Sequence, residues 1–329
     1  MKHVLRAAAL LLCLALVPLP AGAELPRVGV CVYSSRDTFI YGLVSEIRRG
    51  AQGKAELDIR YAEGDQNTQN DQVLALLDDG VDVLVVNAVD RVSAVYLVRL
   101  CRQRGVPVVF INREPLKDDL QSYASAYYVG VDPRQQGRLQ GGLAAQYFAA
   151  HPEADRNGDG IIQLVLLRGE PGHQDAELRS LYSLSALREE GWAVQKLQEE
   201  TASWDRGLGQ ERMAQMLNAL GGRIELVLSN NDDMALGAID ALKAAGYFGA
   251  GPSIPVIGVD ATAPALEYIE QGSLYATVQN DAVRQAQAVV DLLALLAAGQ
   301  SPTADNYPHA MQDRVVYVES EAVLRDGPG

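Results

Sequence analysis

The sequence predicts an α/β protein made of two doubly wound parallel-sheet lobes, and three observations predict it. Short runs that are apolar on both faces alternate with amphipathic helical stretches, the pattern of parallel strands covered by helices on either side. The alternation runs through once and then repeats. The chain has 329 residues, room for two such units.

In the first unit, residues 27–33 read as a buried strand, 39–51 as a helix and 57–61 as a strand. Residues 67–79 follow as a helix with apolar Val73, Leu74, Leu76 and Leu77. A strand is expected over 83–86, a helix over 92–104 and a strand over 106–111. The grammar resumes with a helix over 134–148, a strand over 162–167, a helix over 175–190 and a strand over 193–197. Helix 205–220, strand 224–228, helix 232–245 and strand 254–258 continue it. Helix 264–271, strand 274–278, helix 281–298 and a terminal strand over 315–318 complete it. Two similar units in one chain imply two lobes with a cleft between them.

The front of the chain reads as an export signal. Lys2 and Arg6 flank a short basic region, Ala7 to Leu19 is an apolar run too short to span a bilayer, and Ala21-Gly22-Ala23 offers an A-x-A cleavage site. The mature, periplasmic chain is expected to begin at Glu24. Cys13 lies inside the apolar run, a poor context for lipidation, so a soluble exported protein is expected. Cys31 and Cys101 then remain and are expected as buried free thiols. The whole chain has 28 basic and 42 acidic residues; loss of Lys2 and Arg6 leaves 26 basic against 42 acidic, a net charge near −16. That charge argues against nucleic acid as a partner. No metal-ligand spacing of Cys and His is present.

One short motif stands apart. Asp155-Arg156-Asn157-Gly158-Asp159-Gly160 places oxygen side chains at positions 1, 3 and 5 of a calcium loop and a glycine at the sharp turn of position 6. Ile161 can offer its carbonyl at position 7 and Gln163 its amide oxygen at position 9. Position 12, where an EF-hand carries a bidentate Glu, is Leu166, and a strand follows where a helix would stand. The loop is a broken EF-hand, a site that borrows its last carboxylate from elsewhere, or an Asx-rich surface turn.

In open α/β sheets ligands bind outside the carboxyl ends of the strands. The residues there are Asp37, Phe39, Asn112, Arg113, His173, Asp175, Arg179, Trp204, Asp205, Asn230, Asn231, Asp232, Asp260 and Asn280. Taken singly, most of the Asp and Asn residues precede a helix and can be N-caps, and either aromatic can be core. Taken as a set, capping needs no Arg and packing needs no ring of polar neighbours. Carboxylates and amides pair with vicinal hydroxyls, and aromatic faces stack on the C–H patches of a pyranose. A polyol fits better than a phosphate or a nucleotide.

These residues resemble those of the periplasmic D-galactose/D-glucose-binding proteins of bacterial ABC uptake systems, which have the type I periplasmic binding protein fold. The likeness runs from Val28 to about Val318. It is carried most specifically by residues 169–177, 66–72 and 201–205, with Asn230-Asn231-Asp232 and Gly258-Val259-Asp260 beside them. The resemblance implies that Asp37, Asn112, His173, Asp175, Arg179, Asn231, Asp260 and Asn280 contact a sugar, and that Phe39 and Trp204 sandwich its ring. It implies a structural calcium ion held by Asp155, Asn157, Asp159, Gln163 and the Ile161 carbonyl, with Glu225 as the distant carboxylate. Arg113 departs from the Lys usual in that family; a guanidinium is a planar donor fork rather than a point charge.

The implied architecture has one lobe from 24–131 plus 281–316, another from 132–280 plus 317–329, and a three-stranded hinge. The implied partners are glucose or galactose, the membrane subunits of an ABC transporter and a chemoreceptor, the protein itself being a monomer. Three rivals are weighed beside it. A sugar-responsive repressor would need a DNA-binding head, for which nothing ahead of the first strand has room. An exported glycosidase would need two carboxylates flanking a scissile bond. A binder of another polyol or a pentose would share the whole plan.

Overall fold

The computed structural model describes residues 24–249 and 253–325. The signal-peptide reading falls on residues 1–23, outside them. The chain forms β1 (Arg27–Val32), α1 (Thr38–Ala51), β2 (Glu56–Tyr61), α2 (Gln66–Asp78), β3 (Val83–Val86), α3 (Ala94–Arg104), β4 (Val108–Ile111), α4 (Lys117–Gln121) and β5 (Ala126–Gly130). There follow α5 (Pro133–Ala150), β6 (Ile161–Arg168), α6 (Gln174–Glu189), β7 (Ala193–Thr201), α7 (Arg206–Leu220), β8 (Leu226–Ser229) and α8 (Asp232–Ala244). The rest is β9 (Val256–Ile257), α9 (Ala263–Glu270), β10 (Ala276–Val278), α10 (Ala282–Ala297), β11 (Val315–Tyr317) and β12 (Ala322–Leu324).

Two sheets result, in the orders β2-β1-β3-β4-β5-β11 and β7-β6-β8-β9-β10-β12. The first is parallel throughout, and the second is parallel except for antiparallel β12. The chain passes between the sheets three times: after β5, after β10, and between β11 and β12. In both sheets the strand order reverses beside the first strand of the unit, between β1 and β3 and between β6 and β8. Such a reversal opens a crevice at the strand C-termini.

The local sequence explains these elements. Central strands β3 and β4 are buried along their whole length, whereas edge strands β2 and β7 are only partly covered. Helix α1 starts at Asp37, whose carboxylate accepts the Ile40 amide, and buries Phe39, Ile40, Leu43, Val44 and Ile47 as one stripe. Each such side chain contributes about 1.5–3 kcal/mol by leaving water. Helices α5 and α6 pack closely because α5 presents glycines. A Cβ on Gly137 would stand 2.8 Å from the Arg179 carbonyl oxygen, and one on Gly141 2.3 Å from that of Ser183. That close approach fixes the α6 turn carrying Arg179.

Three elements were not foreseen: α4, β5 and β12. The strands expected from 106, 254 and 274 begin two residues later, and the helix expected from 92 opens with a 3-10 turn at Arg91–Ser93. Cys31 and Cys101 are free and buried, as expected, and burial pushes each thiol up to about 12, so neither is reactive. Among the described residues no helix is long and apolar enough to cross a membrane.

Candidate functional site

The strand C-termini of the two sheets face each other across a cleft. All ten residues foreseen as sugar contacts line it: Asp37, Phe39, Asn112, His173, Asp175, Arg179, Trp204, Asn231, Asp260 and Asn280. Tyr33 and Arg113 complete the wall, and the non-atom space among them is about 320 Å3, at the small end for ligand sites.

The first lobe supplies the β1–α1 and β4–α4 loops. Asp37 spends one oxygen on capping α1, and its other oxygen accepts the Tyr33 hydroxyl at 2.6 Å. Each oxygen keeps a further lone pair for a ligand. Asn112 sits at φ 58°, which turns the chain sharply off β4. Its side-chain oxygen accepts Asn87 Nδ2 at 3.0 Å, and its carbonyl accepts the Tyr128 hydroxyl at 2.8 Å. Arg113 is almost fully buried, with its guanidinium 3.9 Å from the Tyr33 ring centroid. It reaches across the cleft to Glu170, at 2.9 Å, while Gln174 donates back to Glu114 at 2.8 Å.

The second lobe supplies more of the charge. His173 caps α6 by accepting the Asp175 amide at Nδ1. Burial, and then the nearby Arg113 and Arg179, push its pKa well down, so the ring is neutral with its proton on Nε2. Asp175 is buried, and burial pushes its carboxyl up to about 6 against the pull of Arg179, whose Nη2 lies 3.4 Å away. Arg179 is held by Gln136 Oε1 at 2.8 Å and the Asn230 carbonyl at 2.9 Å. Asn231 caps α8, and its Nδ2 donates to the Trp204 carbonyl at 3.3 Å. Asp260, at φ 127°, accepts Asn280 Nδ2 at 3.1 Å; burial raises its pKa well above the usual range.

The capping and packing readings therefore hold together with the cleft reading. Asp37, His173 and Asn231 are N-caps that also face the cleft. Phe39 and Trp204 each belong to a core cluster and line the cleft from opposite lobes. Trp204 adopts φ 67° and lies on Gly169, where a Cβ would come within 2.1 Å of its ring. Asp205 is only an exposed cap of α7, and Asn230 and Asp232 lie behind the wall. Tyr33 was foreseen only as part of a strand; a terminal Tyr directed at a strand C-terminus was the signal for it. Buried donors and acceptors without protein partners remain around the cleft: Arg113 Nε, Trp204 Nε1, Gln136 Nε2 and Asn87 Oδ1. Such groups cost about 1–3 kcal/mol each if left unpaired, which favours a hydroxyl-rich occupant or water.

The Asp155 loop lies at the other end of β6, ~23 Å from the cleft along the strand. Gly158 and Gly160 take φ 70° and 74°. Asp155 accepts the amides of Gly158 and Gly160 at 2.8 Å each, and Asp159 accepts the Ile161 amide and Gln163 Nε2. The distant Glu225 does reach the loop: its oxygens accept the amides of Arg156 at 2.7 Å and Gln163 at 3.1 Å. Arg156 turns away to the Ser253 carbonyl, so no cation pairs with these three carboxylates among the described residues. Gln163 Oε1 is buried with no donor. Among the described residues no three His, Cys, Asp or Glu side chains form a metal cluster by themselves. A calcium shell here needs the amide and carbonyl oxygens as well, and calcium accepts such mixed sets.

Two lobes, a hinge of three crossings and a polar cleft with aromatic walls define a solute-binding protein. The periplasmic binding protein domain profile matches residues 28–301. The D-galactose/methyl-galactoside binding periplasmic protein MglB of Haemophilus influenzae is 40% identical over 92% of this chain and 91% of its own length. The putative rhizopine-binding protein of Rhizobium meliloti is 29% identical over 94% and 93% of the two chains. An ABC transporter solute binding protein of Bacillus halodurans, solved with myo-inositol, superposes with a TM-score of 0.77 at 27% identity, covering 92% of this chain and 96% of that one. The chain belongs to the periplasmic binding protein family, in the sugar-binding branch that serves ABC transporters.

Proposed function

We propose that this protein captures glucose or galactose in the interlobe cleft and delivers it to the membrane subunits of an ABC transporter. The observation that carries this reading is the convergence on one cleft of eight polar residues and two aromatic rings from both lobes. The 40% identity to a galactose-binding relative supports a hexose. Asp37, Asn112, His173, Asp175, Arg179, Asn231, Asp260 and Asn280 hydrogen-bond the hydroxyls, while Phe39 and Trp204 cover the two faces of the ring. Closure about the three crossings brings Arg113 to Glu170 and Gln174 to Glu114, and the transporter reads the closed shape.

The chain is exported by cleavage near Ala23 and works in the periplasm as a monomer that also presents its closed form to a chemoreceptor. Asp155, Asn157, Asp159, Gln163, the Ile161 carbonyl and Glu225 hold a structural calcium ion; when bound, it neutralises three carboxylates that have no other cation among the described residues and satisfies the buried Gln163 oxygen. The loop leads into a strand, so it has no helix to swing and acts on stability alone.

Calorimetric titration with glucose, galactose, ribose, xylitol and myo-inositol tests the ligand. One hexose per chain, bound more tightly than the rest, is expected; heat only with a pentose or polyol sinks the hexose reading. A second reading has one observation in its favour: burial pushes Asp175 up to about 6, a value suited to a general acid. Its Arg179 partner and the engaged oxygens of Asp37 favour ground-state binding instead. The sugar should be recovered chemically unchanged, and a cleaved glycoside would make the protein an enzyme.

A further inference from the structure

Asp232 opens α8 and is fully buried, yet it does not line the cleft. Among the described residues no cation pairs with it. A lone buried carboxylate is costly, so its acceptors must be in use. Oδ1 accepts the Thr277 hydroxyl of β10 at 2.6 Å. Oδ2 accepts the Thr262 amide at 2.8 Å and its hydroxyl at 3.3 Å. An Asn here would leave one of those sides without an acceptor. The carboxylate also lies inside the loop from Gly258 to Thr262, for a Cβ on Gly258 would come 2.2 Å from Oδ1.

That loop carries Asp260, and it is strained. Asp260 and Ala261, neither a glycine, stand at φ 127° and 56°. Such conformations persist only where surrounding contacts over-determine them. Asp260 itself is tied to the β10 end three times: its amide donates to the Val278 carbonyl, its carbonyl accepts the Asn280 amide at 3.1 Å and its Oδ1 accepts Asn280 Nδ2, but none of these bonds reaches Ala261 or Thr262, where the turn continues. The Ala261 amide donates only weakly, at 3.4 Å, to the Thr277 hydroxyl that Asp232 already orients.

We propose that Asp232 is the positioning residue of the sugar site: it clamps the strained Gly258–Thr262 loop against β10 so that Asp260 faces the ligand. This deepens the hexose reading and rests on it.

Hexose affinity is measured by calorimetry for the wild type, Asp232→Asn, Ala261→Gly and the double variant, with hydrogen exchange of the 258–262 segment on the same proteins. Asp232→Asn should bind at least tenfold more weakly and exchange faster in that segment than in neighbouring α8 and β10. Ala261→Gly, which relieves the positive φ, should restore at least threefold in the Asp232→Asn background while changing the wild type less than twofold. Binding within twofold of wild type in Asp232→Asn, or a loss that glycine at 261 does not relieve, overturns the proposal. If Asp232→Asn does not fold, Thr277→Val carries the test, with weaker binding and faster loop exchange expected and neither change overturning it. If the wild type binds no hexose, the ligand reading fails by itself. Loop exchange then still judges Asp232, and an increase spread evenly over the second lobe counts against the clamp.

Discussion

The second lobe carries two polar sites at opposite ends of β6, and they are built on opposite principles. At the cleft end Asp175 and Asp260 are buried, and burial raises the pKa of both. Arg179 stands among them with one protein bond on each of its three nitrogens, which leaves N–H donors for a ligand. At the loop end Asp155 and Asp159 reach solvent, and only Glu225 is buried. Their oxygens are occupied by loop amides and side-chain amides, with no cation among the described residues. The cleft sets the guanidiniums of Arg113 and Arg179 among the carboxylates of Asp37, Asp175 and Asp260, four of these five groups being buried, which suits a neutral ligand rich in hydroxyls. The loop gathers negative charge without compensation, which suits a hard cation. Two carboxylate-rich sites in one lobe thus differ in the ligand class they suit because they differ in burial and counter-charge.

The largest expected effect tests the cleft side of that contrast. Arg179→Met keeps the side chain's bulk but leaves Asp175 buried without its partner. Breaking such a pair destabilises the fold by about 3–5 kcal/mol, and each charged hydrogen bond lost to a ligand hydroxyl costs about 1.5–3 kcal/mol of binding, so loss of the guanidinium's two ligand bonds should weaken hexose binding by a hundredfold or more on titration. Affinity within a few-fold of wild type would mean that the charge balance is irrelevant to the ligand.

Trp204→Ala comes next. Loss of an aromatic anchor costs about 1–3 kcal/mol of binding, and the intrinsic fluorescence change on adding hexose should vanish, Trp192 supplying a constant background. Unchanged affinity would leave Trp204 as a core residue only.

The loop is broken by chelation. An ion at a hundred times its dissociation constant contributes about 2.7 kcal/mol to the folded state, worth roughly 5–10 °C in a chain of this size. Scanning calorimetry should show the melting temperature fall by that order with a chelator, and Glu225→Gln should mimic it, hexose affinity holding within a few-fold. A melting temperature that ignores chelator makes the loop an Asx-rich turn.

The smallest effect sharpens the comparison through pH. Asp175 and Asp232 are raised from 3.8 to about 6 and about 7, chiefly by burial. The folded state therefore binds protons more tightly than the unfolded chain between these values, and stability rises as pH falls through about 7 and then 6. The ligand needs ionised acceptors, so affinity should fall over the same range. Between pH 8 and 5.5 the sugar-free protein should melt a few degrees higher (roughly 3 °C per kcal/mol gained) while hexose binds more weakly. Parallel rather than opposed trends would mean that Asp175 in the cleft and Asp232 behind it do not titrate as their burial requires.

Much of this molecule was legible without coordinates. The alternation of strand and helix, the polar residues at strand ends and the first six residues of the loop are written in short windows, because periodicity and turn chemistry are local. β5 escaped because five residues with two tyrosines between loops carry no period, and β12 because its three residues gain strand character only from antiparallel pairing with β10. Glu225 was reached through a family resemblance, not through spacing, since some 60 residues separate it from the loop.

The sequence by itself determined the two-lobe plan and which side chains could meet a sugar. Only the tertiary structure decided what each of them spends on the protein itself: that Asp37 is both cap and cleft wall, that Trp204 is both core and platform, that Arg113 crosses to Glu170, and that Asp232 grips a loop 30 residues away. A hydrogen bond depends on partners brought together by the fold, and the free lone pairs that remain for a ligand are what is left after those partners have been found.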